Sequence, residues 1–143
     1  MGFFDGFRKT GAKKGTQTKT RAKKILVTHY NLFIGQFLKS SVEKAGYNVI
    51  GGTQNGREAI KLFASEQPDL VVLDIQLDEI NGLDVCKTMK TINPDIPIIM
   101  CSSMRQETMV IEAIKSGACD FVLPPASPDN LNRLIDSIKK HIG

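Results

Sequence analysis

The sequence predicts an α/β protein whose five strands form one parallel sheet between two layers of helices. Two observations carry this. Across residues 24–143, short apolar runs alternate five times with segments of helical period, and Gly or Pro falls at most of the junctions. The apolar runs are also nearly continuous, as in LVVLD and PIIMC, which is the pattern of strands buried on both faces. Parallel neighbours joined by short connections require a helix in each crossover and a right-handed return.

The first strand is read at Ile25 to Thr28, ending on His29 and Tyr30. Ile34, Phe37, Leu38, Ser41, Val42 and Ala45 then share one helical face, and Gly46 stops the helix. Tyr47 to Ile50 is a shorter second strand followed by Gly51 and Gly52. The second helix starts near Arg57 and is expected to bury Ala59, Ile60, Phe63 and Ala64, with Pro68 closing the region. The third strand, Leu70 to Asp74, delivers one carboxylate to the end of the sheet.

Beyond the loop from Asp78 to Gly82, Leu83, Val85, Cys86 and Met89 mark a third helix, which Asn93 and Pro94 break. Ile96 to Cys101 is the fourth strand, leading to Ser102 and Ser103. Met109, Val110, Ala113 and Ile114 define the fourth helix, up to Gly117. Asp120 to Leu123 is the fifth strand, ended by Pro124 and Pro125. Ser127, Pro128 and Asp129 form an N-cap, an N1 proline and a first-turn acid, and Leu131, Leu134, Ile135 and Ile138 stripe the last helix.

Residues 1–23 stand apart as a basic tail, which the composition predicts to be disordered, and residues 24–143 form the domain. Met1 to Lys24 holds eight Lys or Arg against the single Asp5, a net of +7, so the remainder is −3 and the overall +4 misdescribes the domain. Phe3, Phe4 and Phe7 ahead of a basic run have the composition of an anchor for a membrane surface or a protein partner. No apolar run is long enough to cross a bilayer and no secretory leader is read, so a cytoplasmic location is expected. Cys86, Cys101 and Cys119 lack CxxC spacing and are expected to be buried free thiols.

In an open parallel sheet the ligand site lies beyond the carboxyl ends of the strands, where strand order reverses. Topology therefore gathers His29, Tyr30, Asp74, Ser102, Ser103, Pro124 and Pro125 at one pocket.

On PDLVVLDIQLDEINGLDV at Pro68 to Val85, PIIMCSS at Pro97 to Ser103 and GACDFVLPPASPDNL at Gly117 to Leu131, the chain resembles the receiver domain of bacterial response regulators. The resemblance spans Lys24 to about His141 and implies a CheY-like, flavodoxin-like (βα)5 three-layer fold. It implies that Asp74 is the phosphoaccepting aspartate of a two-component phosphorelay and that Ser102 and Phe121 are the switch positions. It also implies magnesium held by an acidic pair after the first strand, by the aspartate, and by a backbone carbonyl at Gln76.

This sequence departs from that pattern. His29 and Tyr30 stand at the acidic-pair positions, Pro124 stands at the lysine position, and Asp78 stands where a proline is usual. Magnesium wants hard oxygen ligands, and phosphoryl transfer rests on positioning and on cations that offset developing charge. The reading is therefore a non-enzymatic, single-domain signalling protein, degenerate at its phosphorylation pocket, with no cofactor. It would act through protein contacts on the face of the fourth helix, fifth strand and last helix. Magnesium at Asp74 and Gln76 enters only if Asp78 and Glu79 fold back to compensate. Two alternatives stay open: a working phosphoacceptor at Asp74 fed by a histidine kinase, and an adaptor anchored through the Phe and Lys tail. Lacking a helix-turn-helix or other output domain, the chain is not expected to bind nucleic acid.

Overall fold

The computed structural model describes residues 22–143, so the expectations for the tail, including the boundary at residue 23 and the anchor residues Phe3, Phe4 and Phe7, fall wholly or mainly outside the described residues. The elements run β1 (Lys24–Thr28), α1 (Leu32–Lys44), β2 (Asn48–Thr53), α2 (Gly56–Glu66), β3 (Leu70–Leu73), α3 (Gly82–Ile92), β4 (Ile98–Cys101), α4 (Glu107–Lys115), β5 (Asp120–Val122) and α5 (Pro128–Ile142). All four strand pairings are parallel, in the order β2-β1-β3-β4-β5. The order reverses between β1 and β3, which places the switch point above those two strands.

Strands β3 and β4 are buried along their whole length because each sheet face carries its own core. Leu26, Val71, Leu73, Ile98 and Met100 face one core with Phe63, Val85 and Met89 from α2 and α3. Ile25, Val27, Leu70, Val72 and Ile99 face the other, with Leu38 and Val42 from α1 and Leu134 and Ile138 from α5. Alternation along each strand sends successive side chains to opposite cores, which is why the sequence reads as an unbroken apolar run.

Several expectations are corrected. Phe37, Ala64 and Ile114, read as buried by helical period, are exposed. Helices α1 and α4 each carry apolar residues on more than one side, and period alone cannot choose which side meets the sheet. Cys119 is exposed, whereas Cys86 and Cys101 are buried. Strand β2 continues through Gly51 and Gly52 to Thr53, three residues past the expected end, with an irregularity in its register against β1 at Val27 and Thr28.

Candidate functional site

Asp74 follows β3 directly and is 3% exposed. A buried carboxylate needs hydrogen-bond donors, and the main chain supplies two. The Tyr30 N–H donates to Oδ2 at 3.1 Å and the Gln76 N–H donates to Oδ1 at 3.3 Å. The Asp74 N–H itself donates to Thr28 Oγ1 at 3.4 Å, tying the residue to the end of β1.

His29 lies against the same carboxylate, with Nδ1 3.5 Å from Oδ2. That contact is not an ion pair. The Asn31 N–H donates to Nδ1 at 3.1 Å, so Nδ1 keeps its lone pair and the ring proton sits on Nε2. Nε2 is buried without a hydrogen-bond partner among the described residues. Burial pushes the imidazole below its ordinary value and outweighs the raising effects of Asp74 and the Asn31 hydrogen bond. His29 is thus a neutral, largely desolvated group in contact with Asp74.

Tyr30 comes to the site through its backbone alone, since its residue is 51% exposed. Its carbonyl accepts from Gln54 Nε2 at 2.7 Å. Gln54 also accepts from the Asp78 N–H at 3.0 Å, and the Asp78 carbonyl accepts from Gly56 at 2.9 Å. The loops after β1, β2 and β3 are in this way tied together around Asp74.

Asp78 is exposed, and Glu79, at φ 67, is directed to Arg57 Nε at 2.8 Å and Asn55 Nδ2 at 2.9 Å. Those two partners hold the Glu79 carboxyl below its usual range. Ser102 is buried after β4, its hydroxyl accepting from the Met104 N–H at 3.1 Å, and Ser103 is exposed. Phe121 is half-buried on β5 against the same core as Met104 and Met109. Pro124 is half-buried, and its carbonyl accepts from Asn130 Nδ2 at 3.1 Å.

Two glycines let the chain close around this site. A Cβ on Gly82 would run into the Asp74 carbonyl oxygen and one on Gly56 into the Ile80 carbonyl oxygen, so α3 and α2 start against the loop that follows the aspartate. Asn31, Asn55 and Asn81 cap α1, α2 and α3 at this end of the sheet, accepting from the backbone three residues on at 3.1, 3.0 and 3.0 Å. Read alone, the sequence assigns no role at the site to Thr28, Asn31, Gln54, Asn55 or Arg57. An Asn before each helical segment was an available N-cap signal, whereas Gln54 carries no motif.

A doubly wound sheet with a buried aspartate held at its switch point defines an α/β domain whose site lies at the carboxyl ends of its strands. The family model described as "Response regulator receiver domain" matches residues 25–136, and the chain belongs to that family of two-component signalling modules. It is 41% identical over 118 residues to the chemotaxis protein CheY of Thermotoga maritima, covering 82% of this chain and 98% of that protein. It is 36% identical to CheY of Bacillus subtilis, covering 83% and 97% of the two chains. The response regulator domain of Thermotoga maritima CheB superposes with a TM-score of 0.77 at 27% identity, covering 85% of this chain and 96% of that one. Among the described residues, no helix is long and apolar enough to cross a membrane, and no group of three His, Cys, Asp or Glu could hold a metal ion.

Proposed function

We propose that this receiver is degenerate at its magnesium and phosphorylation pocket and signals through protein contacts at the face of α4, β5 and α5. The observation that carries the reading is the set of groups around Asp74: a neutral His29, a Tyr30 present only through its backbone, and Pro124 where the family carries a lysine. This donor set does not fit magnesium. One carboxylate and an imidazole lack the hard oxygen ligands and negative charge that the ion requires. With neither metal nor lysine, little offsets the charge of an incoming phosphoryl group. Support for the output face comes from Ile111 and Ile114, exposed on α4, and from Phe121, half-buried on β5 against the same core as Met109 of α4.

The test is incubation with magnesium and acetyl phosphate, and separately with beryllofluoride. The expected result is an unmodified Asp74 and unchanged α4 amide signals in NMR. A mass increase of one phosphoryl group, or α4 shifts absent from Asp74→Asn, would overturn the reading.

A second reading, phosphorylation of Asp74 by a histidine kinase, is favoured by the placement of the carboxylate directly after β3, with both oxygens oriented by backbone N–H groups. It requires phosphoryl transfer from a kinase that is lost in Asp74→Asn.

A further inference from the structure

Helix α1 buries Gly35, Leu38 and Val42 against the domain. At 3.6 residues per turn, Phe33, Phe37, Ser40 and Lys44 fall within about 60° of arc on the opposite side, so they form one stripe that points away from the sheet. All four are exposed, Phe33 by 84% and Phe37 by 48%. From Leu32 to Ser40 the exposed residues of the helix are Leu32, Phe33, Gln36, Phe37 and Ser40, none of them charged. An aromatic, uncharged centre with charges only at its edge has the composition of an interface core.

The order of residues along the stripe selects the partner. Its first half carries the large side chains, Phe33 and Phe37, and its second half the small Ser40 and the flexible Lys44. Laid parallel on a second α1, Phe would meet Phe and Ser would meet Ser, crowding one end of the contact and leaving a gap at the other. Laid antiparallel about a two-fold axis between Phe37 and Ser40, each Phe37 meets Ser40 of the other copy, and each Phe33 lies over the stem of the other Lys44. Large then faces small along the whole stripe, as close helix packing requires.

Charge points the same way. The first turn of α1 has no acidic residue, and its last turn holds Lys44 beside the exposed Glu43. An antiparallel pair brings Glu43 of each copy toward the first turn of the other, where the helix dipole favours an acid, and sets Lys44 over the Phe33 ring. Glu43 and Lys44 cancel, so the stripe carries no net charge that would repel an identical one.

We infer that two copies of this chain dimerise through an antiparallel pairing of their α1 helices about this axis. The contact is isologous and closes at two copies. Taking about 200 Å² for each phenylalanine, Phe33 and Phe37 expose roughly 260 Å² per copy. Even with Leu32 and the polar edge added, that falls short of the roughly 800 Å² per partner of a standard interface, so the dimer is weak and dissociates on dilution. Ile111 and Ile114 on α4 take no part in it, and the pairing does not depend on whether Asp74 accepts a phosphoryl group.

The test is sedimentation of the full chain up to millimolar concentration, joined to isotope-filtered NMR on mixed labelled and unlabelled copies. The average mass should rise from monomer toward dimer, and no further, with concentration. Phe33→Ser with Phe37→Ser alters exposed positions only and should raise the dissociation constant at least about tenfold, whereas Ile111→Ser with Ile114→Ser should leave it unchanged. Ser40→Phe should also weaken the dimer by setting large against large. Phe33 and Lys44 lie about 16 Å apart along one helix, so a cross-peak between their side chains can arise only between antiparallel copies. A chain that stays monomeric at millimolar concentration would overturn the inference, and α1 signals that then move with phosphatidylglycerol vesicles would assign the stripe to a lipid surface. A dimer tightened by Ser40→Phe, or one lost in the α4 variant, would overturn it as well.

Discussion

Tyr30 donates its backbone N–H to Asp74 Oδ2 at 3.1 Å while half of its surface faces solvent. Its side chain can therefore change without removing the hydrogen bond that orients the carboxylate. The triple variant His29→Asp, Tyr30→Asp, Pro124→Lys is expected to bind beryllofluoride in a magnesium-dependent way more tightly than the parent. The double variant without the lysine should bind magnesium yet be modified by acetyl phosphate at least about a hundredfold more slowly than the triple variant. Intact-protein mass spectrometry with and without magnesium reads both results. A triple variant as inert as its parent would show that the block lies in the loop geometry.

The close approach at Gly82 gives a stability prediction. Its N–H donates to the Ile75 carbonyl at 2.7 Å, and a Cβ there would meet the Asp74 backbone and lie 2.7 Å from Ile75 Cα. Backbone cannot move aside as a flexible side chain can. Gly82→Ala should therefore lower unfolding free energy by about 2–3 kcal/mol and shift the amide signals of Asp74 and Gln76. Urea denaturation measures the first effect and NMR the second. Gly52→Ala is a useful contrast, since a Cβ there meets nothing within 4 Å and only its φ of +113° is strained.

The contrast between Leu73 and Phe37 shows where the sequence was legible. Leu73 belongs to a run buried on both sheet faces, so any register leaves it inside. Phe37 belongs to a helix with apolar residues on two sides, and only the docking of α1 through Leu38 and Val42 decides that Phe37 stays outside. Topology likewise put His29 and Tyr30 at the end of β1, but not which ring turns inward. That choice follows from strand alternation, which sends His29 to the same side as Val27, and from the Asn31 cap, which fixes the imidazole through its N–H. Gln54 was invisible because its role comes from two loops distant in sequence meeting around it.

The three Asn caps are chemically alike but differ in their surroundings, which allows them to be ranked. Asn31 caps one helix, Asn81 caps another and donates from Nδ2 to Asp84 within that same helix, and Asn55 donates from Nδ2 to Glu79, across to the loop after Asp74. Asn31→Ala should cost about 1 kcal/mol, the usual value of a cap. Asn55→Ala should cost more, toward about 2 kcal/mol, and should also speed amide exchange at Asp78 and Ile80, which Asn31→Ala leaves unchanged. Equal costs with no change at Asp78 would reduce Asn55 to a cap alone.

His29 sets an expected pH dependence whose sign can be worked out. Burial holds its folded-state value below the ordinary 6.5, so between those two values the unfolded chain binds a proton that the native chain does not. Stability then rises with pH, at up to about 1.4 kcal/mol per pH unit. The contribution is complete above pH 6.5 and is lost as pH falls from there toward the folded value. Asp74, 3.5 Å from Nδ1, acts in the opposite direction by favouring the charged ring, and only the larger effect of burial makes the shift downward. His29→Gln keeps an acceptor and removes the titration, so the difference in unfolding free energy between wild type and variant should fall as pH is lowered from 7.5 to 5.5. Urea melts at half-unit steps measure that difference. A wild type that gains on the variant in acid would mean that the imidazolium forms and pairs with Asp74, making His29 a fixed cation in the pocket.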